Sequence, residues 1–330
     1  MATDQRDSSR AEWRAAVSHP LDAPTFQPVS ASIGLEVSGV SVTGKTQLHN
    51  TDHFVAVRLG RMQETLTTSL AEADLPPRFE EYAYAMLVAD GLDSDGTGGR
   101  ASRFALSTLA HLAIRYGKWN VRVGPDTAGD FAAQSEFFYR QLTDAIIQAG
   151  RTDASLAGMA TSLTALYVAG ADLFFAHVGH SRAYLFRNGV LIQLTMDHTL
   201  ERLISASAAL RRVRLEARRP PGTEPSAPDV PRAVPDALAS RGSGTDIAIE
   251  HVHLWPADRL LLCTNGLTDC VREDQIADVL SGQRRPADDA QRLVDAALAN
   301  DATDSVTVLL GDYWVRGASQ EAPEAPPDVR

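Results

Sequence analysis

Short apolar runs and longer stretches of helical spacing alternate along the middle of the chain. Tyr84–Ala89 (YAMLVA) is a brief apolar run that stops at Asp90-Gly91, the length and boundary of a strand. Ser102–Tyr116 places apolar residues at helical intervals on an Ala- and Leu-rich stretch, and Ala132–Ala149 repeats that period as a second long helix. Strand-like runs follow at Leu163–Ala169, Leu173–Val178 and Ala183–Phe186. Asn188-Gly189 then separates the last of these from Val190–Leu194. Asn-Gly tolerates the positive φ angles that a tight hairpin turn requires, so these two runs are expected to pair. Arg259–Cys263 predicts a further strand, Glu273–Leu280 and Asp288–Leu298 a pair of helices, and Ser305–Leu310 a final strand. Adjacent strands followed by paired helices make sheets covered by helices, an α+β arrangement rather than a doubly wound one.

The flanks break this pattern. Residues 1–33 mix charge, Ser, Ala and Pro without sustained periodicity, and residues 315–330 end in GASQEAPEAPPDVR, so both read as solvated tails around a domain at 34–314. Within that domain residues 201–219 are helix-forming and carry six arginines against two glutamates. The proline-rich PPGTEPSAPDVPRAVP that follows can continue neither a helix nor a central strand. An insertion at about 201–240 is therefore expected to form a surface flap, and its arginines offer either a solvated helix face or a cationic lure for an anionic partner.

Charge and cysteine usage narrow the partners. The chain of 330 residues has 31 basic and 42 acidic residues, a net charge of -11, which argues against a nucleic acid held by phosphate neutralisation and favours metal cations or basic proteins. Cys263 and Cys270 have no CxxC or Cys/His zinc spacing, so a reducing, cytoplasmic location is expected. The first fifteen residues have no apolar core of a secretion signal. Leu163–Val178, interrupted by Asp172, falls short of the roughly 18 apolar residues a membrane span needs. Neither a membrane nor a nucleic acid is expected as a partner.

Acidic or amide side chains stand at the predicted strand ends or in the turns beside them: Asp52 in HNTDHF, Asp90 in LVADG, Asn265 in LLCTNGL and Asp304 in NDATDSVTVLL. Taken singly, each reads as turn chemistry. Gathered in one place they would form an all-oxygen donor set suited to Mg²⁺ or Mn²⁺ rather than zinc. Two such ions can bridge a water, lower its pKa and present hydroxide for in-line attack on phosphorus.

The order and wording of these motifs add a resemblance. NTDHFVAV, YAMLVADGLDSDGTGGRAS, GMATSLTALYVAGADLFFAHVGHSRAYLFRNGVLIQLTMDHTL, DRLLLCTNGLTD and NDATDSVTVLL resemble the bacterial branch of the metal-dependent protein phosphatase family (PPM, type 2C) over residues 34 to about 314. The block Gly158–Leu200 is the most specific part. The resemblance implies a β-sandwich of two antiparallel sheets flanked by helices on both sides, with two manganese (Mn²⁺) or magnesium (Mg²⁺) ions at one end. It also implies hydrolysis of phosphoserine or phosphothreonine on a protein substrate, with a serine/threonine kinase or its targets as partners. Asp90 looks like the carboxylate that bridges both ions and Gly91 like the residue whose carbonyl reaches the second. Asp52 matches an acid near the second ion, and Asp304 matches an aspartate on the first. Asp52, Asp90 and Asp304 are thus the expected catalytic carboxylates, and Asp52, Asp90, Gly91, Asn265 and Asp304 the expected metal-holding set.

Departures accompany these matches. The family's SDG becomes Thr264-Asn265-Gly266, which swaps a carboxylate for a neutral amide and predicts weaker metal loading. Its GDSR becomes Gly179-His180-Ser181-Arg182, so the third, loosely held ion of the family loses its aspartate. His180 reads either as a ligand or as a hydrogen-bonded turn residue. Gln47 stands where the family carries a phosphate-gripping arginine, with Lys45 nearby as a poor substitute, and Asp304 is followed by Ser305 instead of asparagine. Asp93 and Asp95 add carboxylates after Asp90-Gly91 that read either as compensating ligands or as a polar loop. Two functions stay open: an active phosphatase, and a pseudophosphatase that binds a phosphoprotein or kinase without turnover.

Overall fold

The computed structural model describes residues 29–71, 74–75, 78–92, 98–117, 127–153, 160–195 and 249–316. The expected tails up to residue 28 and beyond residue 316, the flap at about 201–240, and Asp93 and Asp95 lie outside the described residues. In chain order, a helical turn α1 (Val29–Ser32) leads into β1 (Ile33–Val42), β2 (Asp52–Gln63) and β3 (Phe79–Leu92). Two long helices follow, α2 (Gly98–Tyr116) and α3 (Thr127–Thr152). Then come β4 (Ala160–Thr161), β5 (Leu163–Ala169), β6 (Asp172–Val178), β7 (Arg182–Arg187), β8 (Val190–Gln193), β9 (Ile249–His253) and β10 (Arg259–Cys263). The chain continues through α4 (Asn265–Thr268), α5 (Glu273–Ser281) and α6 (Pro286–Ala299) to β11 (Val306–Val315).

The strands form two sheets, ordered β1-β11-β10-β7-β8 and β2-β3-β5-β6-β9, with β4 added to the end of β3, and every pairing is antiparallel. Their inner faces share one core: Tyr84, Met86, Val88, Leu166 and Phe175 from the second sheet meet Leu35, Leu185, Leu260, Leu262 and Leu309 from the first. Leu261, Cys263, Val308 and Leu310 alternate to the outer face of the first sheet and pack against Ile276, Leu280, Leu293 and Val294 of α5 and α6. On the other side α2 lies over β2 and β3, and α2 packs on α3 through Ala101, Ala105, Leu142 and Ile146. The result is the four-layer α+β sandwich, helices outside and two antiparallel sheets within.

Arg259 ties α5 and α6 to the first sheet. Buried at the start of β10, it donates to Asp289 at 2.7 Å, to Asp312 at 2.7 Å and to the carbonyls of Leu280 and Arg284 at 2.8 and 2.9 Å. Charges this deep are tolerated because each is paired and hydrogen-bonded.

Several sequence expectations shift. The run at Tyr84–Ala89 does not stop at Asp90-Gly91: β3 starts at Phe79 and continues to Leu92, because Asp90 pairs with Asp52 and Gly91-Leu92 pair with Thr161-Ala160 of β4. Long-range pairing here overrides the turn preference of Asp-Gly. The last strand begins at Val306 and runs to Val315, since all ten residues pair with β1. Strand pairing thus reaches one residue beyond each of the expected domain limits, 34 and 314. β1, β9 and the helical turn α4 were not expected. The hairpin turn at Asn188-Gly189 is as expected, with φ angles of 51° and 80°.

Candidate metal centre

Four strand ends converge at one end of the sandwich. Asp52 opens β2 and is the ladder partner of Asp90 near the end of β3. Asp90 has the same parity as Tyr84, Met86 and Val88, so both carboxylates face inward, side by side. In the first sheet Cys263 pairs with Val308, which sets Thr264-Asn265 beside Asp304-Ser305. The loop between β1 and β2 is laid across the same place, with Lys45 N donating to Ala302 O at 2.9 Å and Thr46 Oγ1 to Thr303 O at 2.8 Å. Two glycines permit this crowding. A Cβ on Gly44 would stand 2.1 Å from Asp304 O, and one on Gly266 2.0 Å from Ser305 O.

Asp52 is held from one side only. Its Oδ2 accepts hydrogen bonds from Thr264 Oγ1 at 2.7 Å and Thr307 Oγ1 at 2.9 Å, whereas its buried Oδ1 has no donor among the described residues. Burial raises its pKa well above the ordinary carboxylate value, Asp90 adds to the rise, and the two threonine hydroxyls oppose it. Burial also pushes Asp90 up to about 6, with the charges of Asp304 and Asp269 adding to the rise. The Asp90 backbone is fixed: Ser162 N and Thr161 Oγ1 both donate to its carbonyl at 2.8 Å. Gly91 is buried directly after it, its N–H donating to Thr51 O at 3.1 Å.

Asp304 is better supplied. Its Oδ1 accepts from Ser305 N at 2.8 Å and, in a short contact, from Gln47 Nε2, and its Oδ2 accepts from Asn265 Nδ2 at 3.4 Å. Asn265 Nδ2 also donates to Asp269 Oδ2 at 3.2 Å. Gln47 therefore faces the centre, while Lys45 is drawn away to Asp301 in an exposed ion pair. His180 is half-buried in the turn after Gly179, and its buried Nε2 has no partner among the described residues. His53 turns to the other side of β2, where its Nδ1 meets Ser102 Oγ at 2.9 Å and burial, then Arg103, lowers its pKa.

The family model for protein phosphatase 2C matches residues 78–300. The chain belongs to the protein phosphatase 2C family. It is 30% identical over 233 residues to the serine/threonine protein phosphatase PstP of Mycobacterium tuberculosis, a match that covers 70% of this chain and 41% of PstP. The chain thus spans about 41% of the length of that relative. The serine/threonine phosphatase Stp of Listeria monocytogenes is 27% identical over 229 residues, covering 68% of this chain and 82% of Stp. Among solved structures, the PstP catalytic domain in complex with two manganese ions superposes with a TM-score of 0.61 at 25% identity, covering 86% of this chain and all of that one.

The candidate centre lies at one end of the sandwich, and its chemistry suits a hard divalent cation. Every donor is an oxygen, and Asp52 Oδ1 is a buried carboxylate oxygen lacking a partner among the described residues. Among the described residues no three His, Cys, Asp or Glu side chains gather closely enough to hold one ion by themselves. Amide and backbone oxygens would have to contribute. A mostly apolar cavity of about 220 Å³ between α2, α3 and the second sheet, lined by Val55, Leu87, Leu106 and Phe138 among others, contains none of Asp52, Asp90, Gly91, Asn265 and Asp304. Sequence reasoning missed Thr264 and Thr307 as supports of Asp52, Asp269 as a nearby charge, and the bond between Gln47 and Asp304. Thr264 lies within the DRLLLCTNGLTD motif, but a threonine in or beside a strand carries no signal of its own.

Proposed function

We propose that this chain is a metal-dependent serine/threonine protein phosphatase that hydrolyses phosphoserine or phosphothreonine on protein substrates. The observation that carries the reading is the convergence of Asp52, Asp90 and Asp304 at one sandwich end, with Asp52 Oδ1 buried and lacking a donor among the described residues. Carboxylates this close repel one another unless cations lie between them. Asp90 with Gly91, and Asp304 with Asn265, would hold two Mn²⁺ or Mg²⁺ ions, with Asp52 beside them. When bound, such ions neutralise phosphate charge and activate water for attack on phosphorus.

The protein's own part is positioning. Thr264 and Thr307 hold Asp52 so that one oxygen stays free, and the β2–β3 ladder keeps it against Asp90. Ser162 and Thr161 stop the Asp90 backbone from sliding. A phosphoserine or phosphothreonine is made by a kinase, so the substrate is a kinase product or the kinase itself. The free thiols of Cys263 and Cys270 suit a reducing, cytoplasmic compartment. No helix among the described residues is long and apolar enough to cross a membrane.

Retention of three acidic groups favours turnover over a phosphoprotein-binding module. The test is hydrolysis of an aryl phosphate by metal-stripped protein titrated with Mn²⁺ or Mg²⁺, beside Asp90→Ala. Metal-dependent turnover lost in Asp90→Ala supports the phosphatase; an inert parent at millimolar metal makes the chain a binding module instead.

A further inference from the structure

The polar groups of the centre divide into two unequal halves. Asp52 Oδ1 is buried without a donor among the described residues, whereas Asp304 receives three donors from the protein. We propose that Gln47 and Asn265 form an amide clamp on Asp304 that competes with one of the two metal ions, so that the ions load with unequal affinity. This inference rests on the phosphatase reading and deepens it.

The orientation of each amide follows from its partners. Gln47 Nε2 donates to Asp304 Oδ1, and its Oε1 accepts from Ser305 Oγ, which in turn accepts from Thr51 N at 3.2 Å. A flipped Gln47 would set its carbonyl against the Asp304 carboxylate, so the contact with Asp304 selects one orientation. The loop that carries Gln47 is anchored on both sides of the contact, at Lys45 N to Ala302 O and Thr46 Oγ1 to Thr303 O. Gln47 is therefore committed to Asp304 rather than extended towards a substrate.

Asn265 also presents its donor end. Its Nδ2 reaches Asp304 Oδ2 at 3.4 Å and Asp269 Oδ2 at 3.2 Å, which leaves its carbonyl oxygen turned away from both carboxylates. To offer that oxygen to a cation, the planar amide must rotate by about half a turn and give up both contacts. Two neutral amides thus supply part of the compensation that a cation supplies elsewhere. The ion on the Asp52 side meets a carboxylate oxygen without a donor among the described residues, whereas the ion next to Asp304 must first displace hydrogen bonds.

Isothermal titration of the metal-stripped full chain with Mn²⁺ tests the clamp directly. Two classes of site differing at least tenfold in affinity are expected. Gln47→Met, which removes the donor without adding charge, should tighten the weaker class by roughly tenfold and leave the tighter one unchanged. Ser305→Ala, which frees the other end of the Gln47 amide, should tighten it by a smaller factor. Equal sites in the parent, or a weaker class that is unmoved or loosened in both variants with the melting temperature kept, overturn the clamp alone. No Mn²⁺ binding by the parent or either variant overturns the phosphatase reading and the clamp with it.

Discussion

The burial of Asp90 predicts that the metal-free protein loses stability as pH rises through the weakly acid range. Asp90 is 7% exposed, and its carboxyl is pushed from the ordinary 3.8 up to about 6. Between those values the folded chain keeps a proton that the unfolded chain has released. Stability therefore falls with increasing pH across this window and levels off above it, the reverse of an acid held by a salt bridge. A carboxyl raised from 3.8 to about 6 corresponds to about 3 kcal/mol over the whole titration. Asp90→Asn isolates the effect, because the amide is close in shape and does not ionise. Urea unfolding of metal-stripped parent and variant should give a stability difference that shifts against the parent by about 2 kcal/mol from pH 4 to pH 7, most of the full effect, since the unfolded carboxyl is already partly ionised at pH 4. The exchange also relieves Asp52 of a neighbouring charge, which enlarges the shift. Saturating Mn²⁺ should restore the parent at neutral pH, since a cation favours the ionised carboxylate. A difference that stays flat with pH, or that shifts in favour of the parent, would refute the account of Asp90 as a desolvated acid awaiting a cation.

Other substitutions test the frame around the centre. Arg259→Met leaves Asp289 and Asp312 without their buried partner and should cost about 3–5 kcal/mol in urea unfolding, whereas Arg140→Ala, at an exposed pair with Glu136, should cost under about 1 kcal/mol. Leu293→Ala empties a fully buried site between α6 and the first sheet and should lower stability by about 2–5 kcal/mol by the same assay. Gly266→Ala forces a Cβ against the Ser305 backbone and should cost about 1–3 kcal/mol, with Mn²⁺ affinity reduced in calorimetry because Asn265 and Asp304 are pushed apart.

What could be read from the chain depended on burial. Arg259–Cys263 was legible residue for residue because all five positions are buried and the apolar run has no competing period. β2 was visible only as part of a motif, since beyond Asp52 most of its residues are exposed and Arg58, Gly60 and Arg61 interrupt the apolar pattern. β1 is built on Gly34, Ser38, Gly39 and Ser41, small residues whose strand state comes from pairing with β11 and not from propensity. The two-sheet sandwich itself came from the resemblance; periodicity alone reached no further than α+β. At the centre, Asp52, Asp90, Asn265 and Asp304 could each be named from their place at strand ends. Their convergence depends on strand order, which spacing does not encode. The hold of Thr264 and Thr307 on Asp52 spans more than 200 residues, beyond the reach of any local pattern.

The place of β11 in the first sheet has a consequence for biosynthesis. It is the last described strand, yet it sits between β1 and β10. A chain emerging from the ribosome presents β1 first and must hold it without a neighbour until residues 306–315 arrive. During that interval the facing edges of β1 and β10 are open to pairing with other chains. Thr307, the support of Asp52 that lies 255 residues downstream of it, arrives on the same strand. Nascent chains shorter than about 315 residues should therefore be inactive and aggregation-prone together, because one strand both closes the sheet and completes the centre.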